Sequence, residues 1–190
     1  MSIVRPRHAA SLILLRRSRR GAEVLMGRRP ARSRFAPDVF VFPGGAVDAA
    51  DRLVTPAAPL DPLCARRTGA PPALAQALAV AALRETQEET GVTLPDDLSA
   101  LRLMARAITP TSSPVRFHAR FFMADAEQAS GEPSETAELS DLAYRPLDEA
   151  LRLPLFDVTE FVLKALAASQ APSPFLLTYR NERPLIRALP

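Results

Sequence analysis

The sequence predicts a single α/β domain of sandwich type spanning residues 1–190, on three observations. Short apolar runs of strand length recur, at residues 9–15, 39–42, 101–108 and 115–123. One long stretch, residues 73–90, is made almost wholly of strong helix formers, and a second helical pattern follows at 159–168. The length suits one core, and mixed strands around a few helices place those helices on the faces of a sheet.

The elements follow in order. Residues 9–15 form a buried strand, and Gly21 turns the chain into a hairpin partner at 23–27. Residues 28–38 are basic and hold Pro30 and Pro37, so they read as an exposed loop. The strand at 39–42 stops at the turn Pro43-Gly44-Gly45, whose glycines allow close backbone approach to a ligand. Residues 52–72 carry five prolines and read as an inserted irregular loop. Pro72 suits a first helical turn and Gly91 a helix stop. Beyond the helix, 101–108 is a strand. Residues 115–123 alternate, with Val115, Phe117, Ala119 and Phe121 on one face and Arg116, His118 and Arg120 on a solvated one. Residues 125–141 read as a mobile acidic loop, 142–147 as a strand, and 147–151 as a short helix. Thr159 is placed as the N-cap of the next helix, and the chain ends in a hairpin-like tail.

Charge and composition bound the function. Residues 1–34 hold ten arginines against one acid, Glu23, a net of +9; the whole chain is +3, so the remainder is net −6. A basic lobe facing an acidic cluster suits a polyanionic substrate held through metal. Nucleic acid is disfavoured, because no aromatic residues interleave the arginines; RNA bound by the basic segment would show a steep salt dependence. No run approaches the apolar length needed to cross a membrane. The single cysteine, Cys64, excludes an intrachain disulfide and fits a reducing cytoplasm. Cys64 and His8 themselves carry no assigned role.

The chemistry concentrates in Arg84-Glu85-Thr86-Gln87-Glu88-Glu89-Thr90-Gly91-Val92. Helical spacing puts Glu85, Glu88 and Glu89 on one face, continuing the stripe begun by Leu74, Leu78 and Ala81. Carboxylates on a semi-buried stripe are costly without a partner, and a hard divalent cation such as Mg²⁺ is the partner that an all-oxygen cluster prefers. Asp48 and Asp51 after the glycines are either further ligands or turn formers. The Phe121-Phe122-Met123 cluster reads as core or interface rather than a base-stacking platform.

Together these residues resemble the Nudix box: a glycine, five residues, a glutamate, seven residues, then Arg-Glu-hydrophobic-x-Glu-Glu-x-Gly-hydrophobic. Thr86 takes the hydrophobic position. Upstream, Gly45 and Asp51 match the first half, with aspartate for glutamate and roughly twenty-five extra residues before the helix; counted without that insertion, Gln76 falls at the glutamate position. The stretch from Phe35 through Asp48, Ile108-Thr109-Pro110, and Arg116 through Phe122 are similar to one branch of the superfamily. Its mammalian members are peroxisomal coenzyme A diphosphatases.

The resemblance implies an αβα sandwich with a mixed sheet and a loop–helix–loop catalytic motif. It implies a hydrolase of nucleoside diphosphates linked to a moiety X, using Mg²⁺ or Mn²⁺. Glu85, Glu88 and Glu89 would ligate the cations, Glu85 would orient or deprotonate the water, and Arg84 would orient the glutamates. Gly44, Gly45, Arg28 and Arg116 would contact substrate, with Arg29, Arg32 and Arg34 in the same basic loop. Glu132, Glu135 and Glu138 are the candidates for a further ligand or base. Homodimers are frequent among related proteins. The competing expectation is a non-catalytic sensor on the same fold, which would normally have lost box carboxylates that this chain keeps.

Overall fold

The computed structural model describes residues 4–19, 21–33, 37–169 and 171–190. Arg34 and Phe35, which entered the sequence reading, lie outside these. A mixed sheet forms the centre, with nine strands among the described residues. In chain order they are β1 (Arg7–Ser18), β2 (Gly21–Arg28), β3 (Phe40–Val41), β4 (Gly44–Ala46), β5 (Arg102–Ile108), β6 (Phe117–Asp125), β7 (Ser140–Pro146), β8 (Phe175–Arg180) and β9 (Arg183–Ala188). The main path runs β3-β2-β1-β6-β5-β8-β9, with β4 added to β1 and β7 to β2. The β1–β6 and β5–β8 pairs are parallel and the others antiparallel.

Both faces of the sheet are covered, and β1 shows why. Its Leu12 and Leu14 enter one core with Leu78, Ala81 and Ala82, while the alternate Ile13 enters another with Val162, Leu163 and Leu166. A strand buried on both sides reads as a continuous apolar run. The helices on the first face are α1 (Pro62–Arg67) and α2 (Pro72–Thr90); those on the second are α3 (Leu147–Ala150) and α4 (Asp157–Ala168). This is the expected α/β sandwich.

Several local expectations are corrected. Pro43-Gly44-Gly45 is no simple turn: Gly44–Ala46 is β4, antiparallel to residues 9–11 of β1. The insertion is not wholly irregular. Asp61 accepts hydrogen bonds from the amides of Leu63 and Cys64 to cap α1, and Leu60 and Cys64 are buried in the first core. Cys64 is therefore a packing residue, its thiol pushed up to about 11 by burial. Thr159 does not cap α4: Phe156 takes that position and Thr159 lies buried inside the helix. Val115 and Arg116 both precede β6; Val115 is exposed and Arg116 only 8% exposed, while within the strand Arg120 is 1% exposed.

α2 ends at Gly91, in the left-handed conformation at φ 74°, with its amide donating to the Gln87 carbonyl. The loop beyond β6 then docks on this helix end. Ser134 N–H donates to Thr90 O at 2.9 Å, and Thr136 Oγ1 donates to Glu89 O at 3.1 Å. Orphan carbonyls of the last turn are thereby satisfied, so this part of the 125–141 loop is pinned rather than loose. A Cβ at position 91 would sit 2.9 Å from Ser134 Oγ. Gly91→Ala is predicted to cost about 1–2 kcal/mol in urea unfolding, the penalty of an L-residue in the left-handed region; an unchanged midpoint would contradict this account of the helix end.

Candidate active site

The site forms where the last two turns of α2 cross β4. The helix can approach this closely because residue 45 is a glycine, whereas the glycine at 44 makes room for β1. A Cβ on Gly45 would collide with the Glu85 carboxylate, and one on Gly44 with Ser11 and the Ala10 carbonyl. Gly44 N–H donates to Glu89 Oε2 at 2.8 Å. Its amide therefore holds a carboxylate rather than standing open to a phosphate, which revises the role expected of it.

Arg84 organises the cluster from the other side. Nε and Nη2 grip Asp51 Oδ1 and Oδ2 at 2.8 and 3.1 Å, Nη1 donates to Glu85 Oε1 at 2.9 Å and Glu88 Oε2 at 2.8 Å, and Nη2 also reaches Ala46 O at 3.2 Å. These contacts, Asp51 foremost, hold the guanidinium firmly charged. Asp51 is 2% exposed and its second oxygen also accepts the Asp48 amide at 2.6 Å. Its carboxylate is thus used to orient Arg84 and close the turn. A planar fork on a carboxylate fixes direction as well as charge, so Asp51 sets Arg84, which sets Glu85 and Glu88.

The remaining glutamate is the unusual one. Glu89 is 6% exposed and is pushed up to about 8, chiefly by desolvation; Glu85 and Glu138 raise it further, while the Gly44 amide and Arg29 act the other way. Burial also raises Glu85, partly offset by Arg84. Glu88 is the exposed member, with a side chain 56% accessible. Among the described residues no three acidic, imidazole or thiol side chains are already gathered at metal-ligand geometry. The donor set nevertheless fits a hard cation, because a buried carboxylate held above its ordinary range beside a second one lacks positive charge.

The structure sorts the other expected residues. The charge of Glu138 acts on Glu85 and Glu89, whereas Glu135 accepts the Asp141 amide. Arg28 pairs with Asp38 at 2.8 Å on the exposed surface. It is the neighbouring Arg29 whose charge acts on Glu89, and its Nε is buried with no hydrogen-bond partner. Arg116, expected at the substrate, is a brace: Nε donates to Thr109 O at 3.1 Å and Nη1 to Val4 O at 2.7 Å. Thr86 stands buried at the hydrophobic position of the motif, its hydroxyl satisfied by Ala82 O at 2.7 Å. Sequence reasoning placed Arg29 in the basic loop without separating it from Arg28, and it missed the Asp51–Arg84 clamp, which joins residues 33 positions apart.

With this geometry established, comparison with known proteins is direct. Residues 5–166 match the NUDIX domain family, and the chain belongs to that family. Among solved structures it is similar to a NUDIX hydrolase from Alicyclobacillus acidocaldarius, at 29% identity and a TM-score of 0.71, covering 88% of this chain and 94% of that one. It shares its fold with a MutT protein from Bacillus halodurans (18% identity, TM-score 0.59, 95% and 96% of the two chains). The same holds for the NUDIX domain of Shewanella oneidensis NrtR, solved with ADP ribose (17%, 0.59, 87% and 89%). Curated proteins give no match. The chain is a Nudix hydrolase, a pyrophosphohydrolase.

Glu89 gives a pH test on the metal-free protein. Its folded-state value lies above the ordinary 4.5, so its burial costs nothing while both states are protonated. The cost grows as pH rises from about 4.5 toward about 8. Glu89→Gln keeps an acceptor for Gly44 and removes the ionisation. It is predicted to raise the metal-free Tm by several degrees at pH 8 and to leave it nearly unchanged at pH 4.5. An equal effect at both pH values would show that the carboxyl is not desolvated.

Proposed function

We propose that this Nudix hydrolase cleaves the P–O–P bond of a nucleoside diphosphate linked to a moiety X, with coenzyme A and its acyl derivatives as the leading substrates, and that it requires Mg²⁺ or Mn²⁺. The observation that carries the reading is Glu85 packed on Gly45 beside Glu89, both raised by burial, with Arg84 offsetting Glu85 and Glu89 left short of positive charge. Glu85, Glu88 and Glu89 would hold the cation, with the charge of Glu138 acting on Glu85 and Glu89 from the pinned loop. A bound cation would offset the charge of the diphosphate and make a bound water more acidic. The chain's own contribution is positioning. Gly44 fixes one Glu89 oxygen, Arg84 fixes Glu85 and Glu88, and Asp51 fixes Arg84. Glu85, the better solvated of the buried pair, is the group assigned to orient or deprotonate the attacking water. Arg29 supplies a positive charge beside Glu89 for the substrate's phosphates. The coenzyme A preference rests on the similarity of the stretch around Pro43-Gly44-Gly45 and of the interrupted box to that branch, and is the finer part of the proposal.

The test is a turnover screen with Mg²⁺ and Mn²⁺ over coenzyme A, ADP-ribose, NADH, dinucleoside polyphosphates and nucleotide sugars. Metal-dependent release of two phosphate-terminated products is expected, fastest with coenzyme A or an acyl-coenzyme A. Glu85→Gln should lower kcat by about 10²–10⁴-fold, the usual worth of a positioned base, while leaving the folded protein intact. Ligand binding without turnover of any substrate, unchanged in Glu85→Gln, would establish the sensor reading instead.

A further inference from the structure

Outside the glutamate site, the same sheet face carries a cluster of basic groups that the chemistry above does not use. The strand registers align them. His8 of β1 stands opposite His118 of β6, and Arg120 of β6 stands between Ala10 of β1 and Arg106 of β5. Ala10 is packed in the core beneath α2, so its register partner Arg120 projects from that same face, toward the insertion. Arg120 is 1% exposed; its Nε donates to Thr68 O at 3.1 Å and its Nη1 to His118 O at 2.7 Å. The same Nη1 lies 3.0 Å from His8 Nδ1. Arg106 Nη2 lies 3.5 Å from His118 Nε2, and its Nε is buried with no hydrogen-bond partner. Its guanidinium packs flat on Gly69, where any Cβ would collide with it. Exposed Arg52 adds its charge next to His8.

Two features define what this cluster can take. First, it has no counter-ion: neither Arg106 nor Arg120 forms an ion pair with a described carboxylate, and desolvation lowers both guanidiniums, Arg120 to about 10. Buried, unpaired guanidiniums are expensive and attract an anion. Second, it presents donors. Each imidazole offers one nitrogen to an arginine, so that nitrogen is an acceptor and the ring is neutral; the other nitrogen then carries the proton and is a donor. Burial and the neighbouring arginines hold His118 neutral, down at about 3. His8, His118 and Arg106 are all partly open to solvent.

We propose that His8, His118, Arg106 and Arg120, walled by Thr68 and Gly69 of the insertion, form a binding site for a tetrahedral oxyanion, a phosphate. Arg120 is its buried floor, and Arg106 Nε is a donor without a hydrogen-bond partner. Register sets its distance from the reaction centre. Gly45, which underlies Glu85, pairs with Ala10, and Ala10 pairs with Arg120. Two strand spacings, about 10 Å, therefore separate the two sites on one face. That span matches a phosphate monoester elsewhere on a substrate whose diphosphate lies at the glutamates. The source is then either that second phosphate or free phosphate; the first alternative rests on the proposed function, the site itself does not.

The chain's only two histidines are both in this cluster, which makes them direct reporters. Inorganic phosphate is titrated into the metal-free full chain, where the bare glutamates repel anions, and the imidazole nitrogen resonances are followed by NMR. Saturable shifts of both histidines are expected, not reproduced by chloride at equal ionic strength, with the phosphate Kd weakened at least tenfold in Arg106→Gln and partly restored in Arg106→Lys. No saturable shift in the wild-type chain overturns the site. Turnover then separates the sources. A KM for coenzyme A raised about tenfold in Arg106→Gln at unchanged kcat, with 3′-dephospho-coenzyme A unaffected, assigns the site to the substrate's second phosphate. Saturable histidine shifts with equal KM for both substrates assign it to free phosphate. Absence of turnover on every substrate would defeat the proposed function and leave the histidine measurement intact.

Discussion

The contact between the end of α2 and the glycine strand β4 is what the rest of the site depends on. With no side chain at 45, the Glu85 carboxylate lies directly on the sheet, and the Gly44 main-chain N–H donates to Glu89. The cost of that approach is two desolvated acids. It is met on one side by Arg84 and left unmet on the other, where Glu89 is held above the ordinary carboxylate range. An unmet charge of this kind destabilises the isolated fold, and a ligand that supplies positive charge stabilises it in proportion.

The scaffold around this contact is arranged to keep it rigid. α2 is anchored through its apolar stripe on Leu12, Leu14 and Phe122, and its last turn is closed by Gly91 and by the loop carrying Ser134 and Thr136. The insertion adds a second anchor. It buries Leu60 and Cys64 beside the helix and sends Thr68 over Arg120, so the segment that interrupts the sequence motif builds a wall on the same face. Placing functional groups on packed elements limits the positional error that catalysis tolerates poorly.

What was legible in the sequence was local. The helix, its stop at Gly91 and the shared face of the three glutamates follow from periodicity and capping within twenty residues. The strand nature of Gly44–Ala46 was not legible, because it comes from pairing with β1 and not from the glycines' own preferences. Alternation puts Arg116 and Arg120 on a solvated face, but Arg116 braces Thr109 and Val4 and Arg120 lies under Thr68 of the insertion, contacts that alternation does not show. Asp51 was placed in the motif, but its grip on Arg84 spans the insertion and needed the fold to be seen. Arg29 differs from Arg28 only in which way the strand end turns it, and composition carries no record of that.

A cation held at the α2–β4 contact is the proposal on which the function of this site turns. Binding of Mn²⁺ to the substrate-free chain, followed by electron paramagnetic resonance, measures this directly. A saturable site is expected in the wild-type protein, weakened at least tenfold by Glu85→Gln and by Glu89→Gln separately. Equal Mn²⁺ affinity in all three proteins would contradict it.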